Sequence, residues 1–392
     1  MTSDLWHSYE NLLDGLAAHH RRRRLIARKG ADFSSNDYLG LSQSPELRQI
    51  ALAALERGVA IGSGGSRLLR GNDPEHEALE AEAAAFFGAE AALYFPGGFT
   101  ANATLFATLP QRGDLVVHDS LIHASAHDGM RSGRAQHVSF THNDAQAASD
   151  AIQVWRKAGG TGRVWIAVES LYNMDGDQAP LADLKQVSDR HDAFLIIDEA
   201  HATGVLGPEG RGLASDLEGR DNVITLHTCG KALGAQGGLL CGPKALRDFI
   251  VNFSRAFIFA TAPSPLMAAV VRGALALVRD QPQRRHKLGE LVTFANRGLE
   301  VRCGRPPSHS HILPGILGSN ERTMAVAAAL QTRGFDIRGI RPPTVPEGTA
   351  RLRIALTLHN DEASVSTMLD ALAEILDRSS FSKSPSTSSG LQ

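Results

Sequence analysis

The sequence predicts an α/β protein in which helices cover a mostly parallel central sheet. Six short apolar runs alternate with helical segments, and their continuous apolar character is typical of strands buried on both faces. The runs cover residues 91–95, 115–118, 164–168, 194–197, 223–226 and 239–241. With 392 residues, 43% of them hydrophobic, the chain is long enough to bury a core of this kind.

Helix signals support the alternation. Asp73 and Pro74 supply an N-cap and a first-turn proline for a helix predicted over residues 76–87, and Gly88 supplies its stop. A capped helix placed directly before the first apolar run fits the predicted order of elements.

Changes of pattern along the chain predict four segments. An amphipathic helix over residues 4–28 leads an N-terminal arm, and beyond about residue 275 a long charged helix begins a smaller α+β domain. The Ser-rich end has little apolar content and is predicted to be disordered. The smaller domain is predicted to contain a loop at 306–314, a helix at 322–333 and a strand at 351–356. The predicted bounds are 1–45 for the arm, 46–275 for the large cofactor-binding domain, 276–378 for the small domain and 379–392 for the tail.

Charge and cysteine content narrow the kinds of partner. The formal net charge of -2 gives no field that would draw the chain to nucleic acid or to an anionic membrane. No stretch approaches the roughly 20 apolar residues of a membrane span. The three cysteines form no ligand-like cluster, which indicates no metal site and free thiols in a reducing, cytoplasmic setting. The one dense basic block, residues 21–24, is predicted to be a solvated helix end or a contact for an anionic substrate.

Asp198 is the first candidate for chemistry. It follows the apolar run 194–197, at the end of a strand where ligands of open α/β sheets bind. A buried carboxylate there could keep a proton on a pyridine nitrogen, so that the ring withdraws electrons from a carbanion on a substrate. An Asp at such a position can equally cap the next turn.

Lys231 is the second candidate. It lies 33 residues after Asp198, just beyond a strand and among small residues that let a flat ring approach the backbone. A lysine that forms a Schiff base needs a setting that lowers its pKa. Alone, a lysine in such a loop is more often solvated or bound to phosphate, but together with Asp198 it favours a pyridoxal-phosphate (PLP) enzyme.

Two loops could complete a PLP site. Gly98 and Phe99 open a helix directly after a strand, where backbone N–H groups and the helix dipole favour a phosphate. His123 follows the next strand, where an imidazole could stack on a cofactor ring. Each feature alone has an ordinary alternative, a plain strand-to-helix turn or a structural histidine.

Taken together, six short motifs resemble the α-oxoamine synthase family, PLP enzymes of fold type I that condense an amino acid with an acyl thioester and release CO2. The match runs from about residue 33 to about residue 375. The motifs cover residues 35–40, 62–66, 123–125, 174–177, 198–201 and 228–231. The segment 340–357, which contains RPPTVPEGTARLR, is most similar to the member of the biotin pathway that uses L-alanine and a pimeloyl thioester, carried by CoA or by acyl carrier protein.

The resemblance implies a role for each matched residue. Lys231 would hold PLP and remove the substrate Cα proton, Asp198 would pair with the ring nitrogen, and His123 would stack on the ring. The other implied contacts are His201 with the ring hydroxyl, the Gly98 and Phe99 amides and Thr228 with the phosphate, Asn173 with the cofactor, Thr261 with the phosphate of a neighbouring subunit, Arg353 (or Arg351) with the amino-acid carboxylate, and Asn36, Ser66 and Arg23 with the substrate. The Thr261 contact implies a homodimer with shared active sites.

The sequence departs from the family pattern at two places. Asn173 stands where relatives often carry Ser, although an amide can still donate a hydrogen bond, and Phe259-Ala260 replaces a familiar Tyr-Ser pair. Two alternatives stay open: a sibling synthase that uses glycine or serine, and a non-catalytic partner subunit of the same fold.

Overall fold

The computed structural model describes residues 4–308 and 310–381. By the contacts within it, the chain divides into two compact units. The larger unit comprises Asn36–Asn173 and Asp177–Lys287, and the smaller comprises Met1–Ser35, Met174–Gly176 and Leu288–Gln392. In the described ranges, no helix is both long and apolar enough to cross a membrane.

The α-helices and β-strands alternate along most of the chain. The helices are α1 Asp4–Ala18, α2 Pro45–Glu56, α3 Pro74–Phe87, α4 Gly98–Thr108, α5 Ala124–Ser132, α6 Ala145–Lys157, α7 Leu181–Arg190, α8 Lys244–Phe253, α9 Arg255–Ile258, α10 Pro265–Asp280, α11 Pro282–Cys303, α12 Asn320–Thr332 and α13 Glu362–Phe381. The strands are β1 Ala31–Asp32, β2 Ala91–Phe95, β3 Leu115–Asp119, β4 Gln136–Phe140, β5 Val164–Glu169, β6 Phe194–Asp198, β7 Val223–Thr228, β8 Gly238–Gly242, β9 Ile312–Gly318, β10 Phe335–Asp336, β11 Arg338–Ile340 and β12 Ala350–Ala355.

A seven-stranded sheet forms the centre of the larger unit, in the order β2-β8-β7-β6-β5-β3-β4. All neighbouring pairs from β7 to β4 are parallel, and only β8 runs antiparallel to its neighbours. The predicted mostly parallel sheet is therefore confirmed, and all six predicted strands belong to it. The prediction missed β4, an edge strand whose residues Gln136, His137 and Ser139 are exposed and polar, so it lacks the apolar run of a buried strand.

Side chains on alternate positions of each strand pack into two hydrophobic layers. On β6, Ile196 joins the layer that contains Leu105 of α4, whereas Leu195 joins the layer that contains Ile152 of α6. Helices therefore cover both faces of the sheet, as the continuous apolar runs predicted. Because helices cover both faces, polar side chains of the sheet are found mainly at the ends of its strands.

The capping prediction for α3 is confirmed. The Asp73 side chain accepts a hydrogen bond from the Glu75 amide, Pro74 occupies the first turn, and Gly88 ends the helix with φ +86° in the left-handed region. The leading helix is shorter than predicted. It ends at Ala18, because His20 has φ +55° and the Arg21 amide turns back to the Leu16 carbonyl.

The smaller unit contains two further sheets. Strands β11, β12 and β9 form an antiparallel sheet, and β1 pairs in parallel with β10. The predicted charged helix, second helix and strand correspond to α11, α12 and β12. The predicted loop over 306–314 is wrong for its last three residues, 312–314, because they belong to β9. Ile312, the first residue of β9, pairs with Ala355 of β12. Of the predicted tail, residues 382–392 lie outside the described residues.

Close packing of α5 on α4 depends on Gly129. A Cβ at this position would lie 2.6 Å from the Ala103 carbonyl oxygen and 2.8 Å from the Phe106 Cβ. We expect Gly129→Ala to lower the free energy of unfolding by about 1–3 kcal/mol through overpacking, measured by urea unfolding. Gly289→Ala is the matched control, because nothing lies within 4 Å of its Cβ position on α11 and alanine favours helix. Equal effects of the two substitutions would contradict this account of the α4–α5 contact.

Candidate active site

The parallel strands of the large sheet bring a row of polar residues to one edge. Strands β3, β5, β6 and β7 end at Asp119, Glu169, Asp198 and Thr228. Because these strands are parallel, their carboxyl ends lie at the same edge, which is where open α/β sheets bind ligands. Strand β2 is antiparallel to β8, so its end at Phe95 reaches this edge beside Gly238.

Lys231 belongs to a hydrogen-bonded chain. Its Nζ lies 2.6 Å from His201 Nε2, His201 Nδ1 lies 2.6 Å from the Tyr38 hydroxyl, and that hydroxyl donates to Asn36 Oδ1 at 3.0 Å. Since the Tyr38 hydroxyl donates its proton to Asn36, its oxygen accepts a hydrogen bond from His201 Nδ1–H. His201 Nε2 is then unprotonated and accepts a hydrogen bond from Lys231 Nζ. Tyr38 and His201 are 0% and 4% exposed, so these hydrogen bonds fix the Lys231 side chain from its buried side.

Asp198 is joined to His123 by a second chain. The Asn102 Nδ2 group donates to Asp198 Oδ2 and to Ser125 Oγ, both at 3.0 Å, and Ser125 Oγ lies 2.8 Å from His123 Nδ1. The Ala200 amide donates to the other Asp198 oxygen. Asn102 and Ser125 are each 1% exposed. The two side chains predicted to contact the same ring are therefore fixed to one another through a buried amide and hydroxyl.

The hydrogen bonds also define the tautomer of His123. The Ser125 amide donates to His123 Nδ1 at 3.2 Å, so Nδ1 is an acceptor and the proton of the neutral ring lies on Nε2. Burial, together with the charge of Lys231, lowers the pKa of His123 although Asp198 acts in the opposite direction. At neutral pH the ring is therefore uncharged and offers an Nε2–H donor.

Gly98 and Thr228 lie side by side at the start of α4. A Cβ on Gly98 would come within 3.1 Å of Thr228 Oγ1, so the absence of a side chain lets the strand end and the helix start approach closely. The first N–H groups of a helix have no acceptor within that helix and favour an anion. Gly98 and Phe99 supply two of these groups beside the Thr228 hydroxyl.

Glu169 is a buried acid at this edge that the sequence reading did not single out. It pairs with Asp198 in the register of β5 and β6, and its side chain is 2% exposed. Burial and the charge of Asp198 raise the pKa of Glu169, although the Asn173 amide lowers it by hydrogen bonding. Because the two carboxyl groups lie on neighbouring strand ends, the arrangement with one charged and one neutral carboxyl group is favoured. The pair was not predicted, because the register of β5 and β6 that places Glu169 beside Asp198 cannot be read from the sequence.

Thr261 and Ser66 lie in a second region of the larger unit. The Ala262 amide donates to the Gly65 carbonyl at 2.9 Å, and Ser63 Oγ donates to the Pro263 carbonyl. Thr261 is exposed and Ser66 half-buried. The structure thus brings the segments that carry Thr261 and Ser66 near each other.

The predicted carboxylate-binding arginines belong to the smaller unit. Arg351 is 3% exposed, forms an ion pair with Asp175 and donates to the Thr349 carbonyl. Its guanidinium is thus engaged within the unit, and Arg353 lies on the same strand and is 8% exposed. Within the arginine run, Arg21 pairs with Glu347 and Arg23 donates to Thr344 Oγ1.

Arg341 is a further buried guanidinium in the smaller unit, 9% exposed, with a hydrogen bond to the Met324 sulfur. Burial and the nearby Arg23 lower the pKa of Arg341. A buried guanidinium is stabilised by an anionic partner, so Arg341 is suited to an anionic ligand. The feature of the sequence that could have identified Arg341 is its place in the RPPTVPEGTARLR segment.

These residues suit PLP. The lysine amine suits the aldehyde of that cofactor, and the buried carboxylate, joined to an imidazole through Asn102 and Ser125, suits the ring nitrogen and ring face. The glycine–threonine cradle at a helix start suits the phosphate. In the described part of the chain, no group of three or more His, Cys, Asp or Glu side chains is arranged to hold a metal ion.

Comparison with known proteins gives the class first. The sequence model of the aminotransferase class I and II family matches residues 28–372, so the chain belongs to this family of PLP enzymes. The fold is also that of a serine palmitoyltransferase from S. paucimobilis solved with a PLP–myriocin aldimine, with a TM-score of 0.85 over 96% of this chain and 98% of that one at 23% identity. The predicted fold type and cofactor are confirmed.

Its relatives then narrow the class. The 8-amino-7-oxononanoate synthase of Anaeromyxobacter dehalogenans is 44% identical over 345 residues, which cover 87% of this chain and 85% of that protein. The 8-amino-7-oxononanoate synthase of Francisella tularensis has a TM-score of 0.76 at 25% identity, covering 90% of this chain and 99% of that one. The chain therefore belongs to the 8-amino-7-oxononanoate synthase family, as the motifs predicted.

Proposed function

We propose that the protein catalyses the decarboxylative condensation of L-alanine with a pimeloyl thioester, giving 8-amino-7-oxononanoate, CO2 and a free thiol in biotin biosynthesis. The observation that carries this proposal is the meeting of Lys231, His201, His123 and Asp198 at the carboxyl edge of the sheet through two buried hydrogen-bonded chains. The names of the relatives supply the substrates. Either CoA or acyl carrier protein could carry the pimeloyl group.

PLP, when bound, supplies an aldehyde for Lys231 and then for the substrate amine, and a ring that withdraws electrons from the substrate Cα. Asp198 keeps a proton on the ring nitrogen, and its two donors, Asn102 and Ala200, hold the carboxylate in place. His123 would lie against the ring and direct its Nε2–H at the substrate. Gly98, Phe99 and Thr228 would hold the phosphate, with Asn173 as a further contact.

Lys231 moves the protons of the reaction. Its Nζ takes the proton from the alanine Cα, and His201 keeps the amine in reach through the contact at 2.6 Å. A carbon–carbon bond then forms between that Cα and the thioester carbonyl carbon, and the thiolate leaves. Loss of CO2 from the same carbon leaves an electron pair that is protonated from Lys231. Asn36 and Ser66 contribute to the substrate side of the site.

Arginines bind the anionic ends of the substrates in this proposal. Arg353 binds the alanine carboxylate through its guanidinium fork. Arg23 donates to Thr344 Oγ1 and the Thr344 amide donates to the Arg341 carbonyl, so these two arginines form a second anionic site suited to the free carboxylate of the pimeloyl chain.

We expect Arg353→Lys to raise the KM for L-alanine about 10–100-fold and to change kcat less, because a lysine cannot bind a carboxylate with two parallel hydrogen bonds. Steady-state kinetics with varied L-alanine measure this effect. Arg338→Lys is the matched control, since Arg338 lies opposite Arg353 on β11 and pairs with Asp336. A larger rise in KM for Arg351→Lys than for Arg353→Lys would transfer the role to Arg351.

The proposal includes a cytoplasmic homodimer in which Thr261 reaches the phosphate of the partner subunit. Exposed aromatic side chains close to this segment, Phe253 and Phe259 at 65% and 71% exposure, support a covered surface there. The three free cysteines fit a reducing compartment. Sedimentation measurements test the dimer, and mixing inactive Lys231→Ala chains with inactive Thr261→Ala chains tests the sharing of sites.

The assay for the reaction compares three amino acids. Purified protein with PLP receives L-alanine, glycine or L-serine, each with and without pimeloyl-CoA or pimeloyl-acyl carrier protein, and release of thiol and CO2 is followed. We expect both products with L-alanine and a pimeloyl thioester. Faster release with glycine or serine and another thioester would replace the proposal by a sibling synthase, and absence of release with any pair would favour a non-catalytic subunit.

A further inference from the structure

His142 lies between two carboxylates at the carboxyl edge of the sheet. Its Nδ1 is 2.8 Å from Asp119 Oδ1, and its Nε2 is 2.7 Å from Asp177 Oδ2. Carboxylate oxygens only accept hydrogen bonds, so both ring nitrogens donate and the ring is an imidazolium. The Tyr172 ring packs edge-on against it, with the centroids 4.5 Å apart and the planes at 86°.

The charges of this group support one another. Burial opposes charge on His142, but the hydrogen bonds from its ring to Asp119 and Asp177 raise the pKa of His142 to about 10. Burial would likewise raise the pKa of Asp119, yet hydrogen bonds from His142 and the Asn143 amide hold it below its ordinary value. Asp119 is 0% exposed, so its charge needs a partner inside the protein.

The three residues join three loops. Asp119 also accepts from the Leu121 amide at 2.8 Å, at the start of the loop that leads to His123. Asn143, next to His142, donates through its backbone to Asp119 and through its side chain to Asp177. Asp177 lies four residues after Asn173, and its carbonyl accepts from the Tyr172 amide at 2.9 Å. The loop after β3, the loop after β4 and the loop after β5 thus meet at one imidazolium.

We infer that His142 is a positioning residue for the reaction, whose charge clamps the loop that carries His123 to the loop that carries Asn173. This inference rests on the proposed roles of His123 and Asn173. Without the ring, the two carboxylates would face each other across the gap, and the repulsion would move the loops apart. Displacement of about 1 Å at a reacting group can slow an enzyme about 10²-fold.

We expect His142→Gln to lower kcat about 10–100-fold and to leave the KM for L-alanine within about threefold, because the amide keeps one donor and loses the charge. The circular dichroism of bound PLP, which reports the groups that surround the ring, should weaken in parallel. Asp177→Asn should lower kcat and the dichroism measurably but less than His142→Gln does, since the imidazolium keeps Asp119. His191→Gln is the control, a partly buried histidine that contacts Ser149 and not these loops.

The pH dependence has a definite sign. The pKa of His142 is raised from 6.5, so its contribution to stability is fully present below about pH 6.5 and is lost as the pH rises through about 10. The groups that face the ring are Asp119, Asp177 and Tyr172. The difference in Tm between wild type and His142→Gln should therefore shrink between pH 8 and about pH 10.5.

The outcomes separate this inference from the proposed function. If His142→Gln lowers Tm but leaves kcat and the PLP dichroism at wild-type values, the residue is only structural and the inference is wrong. The dichroism does not depend on which substrates the enzyme uses, so it decides the matter even if the alanine assay fails. If His142→Gln does not fold, wild-type kcat and dichroism in Asp177→Asn would equally overturn the inference.

Discussion

Lys231→Ala is expected to lower turnover by about 10⁴-fold or more, the largest effect of any single substitution in this chain. Alanine removes the amine that, in the proposed function, bonds to PLP and takes the Cα proton. His201 lies 2.6 Å from the amine but cannot replace it as the group that bonds to PLP, because an imidazole is not a primary amine and forms no Schiff base. The measurement is thiol release per folded subunit at saturating PLP.

A second signal accompanies the loss of activity. The absorbance of the lysine-bound cofactor should disappear, and PLP should leave on dialysis. Lys244→Ala is the matched control, because Lys244 lies in the same unit, is exposed and pairs only locally with Asp248. Retention of covalent PLP and of activity within about tenfold in Lys231→Ala would show that another amine holds the cofactor.

Asp198→Asn is expected to lower kcat by about 10³-fold, or about 4 kcal/mol in the barrier. The amide cannot keep a proton on the ring nitrogen, so the ring withdraws electrons less strongly from the substrate Cα. The amide nitrogen would also face the Asn102 amide, which now donates to Asp198 Oδ2. Some loss of stability should therefore accompany the loss of rate.

The comparison that isolates the charge is with Asp248→Asn, an exposed carboxylate of the same unit that pairs with Lys244 and Arg247. We expect this control to retain wild-type kcat. Turnover is measured with L-alanine and pimeloyl-CoA, and PLP occupancy is measured on the same samples. An Asp198→Asn variant that keeps full PLP occupancy and more than half of the wild-type kcat would remove Asp198 from its proposed role.

Much of the fold could be predicted because its signals are local. Each of the six predicted strands contains an apolar run of three to five residues, and the caps of α3 depend on Asp73, Pro74 and Gly88, which lie within or beside the helix. Strand β4 was not predicted, because an exposed edge strand needs no apolar run. The end of α1 at Ala18 was not predicted, because the backbone turns at His20, which adopts a positive φ for which histidine has no strong preference.

The sequence by itself predicted Lys231 as the cofactor lysine and Asp198 as its carboxylate, because each follows a recognisable strand and stands in a short motif. Only the tertiary structure decided what holds them. Tyr38, Asn102 and His142 hydrogen-bond to partners between 23 and 163 residues away, which become neighbours only in the folded chain. Hydrogen bonds depend on distances of about 3 Å, which local sequence patterns do not encode, whereas strand burial depends on composition, which they do.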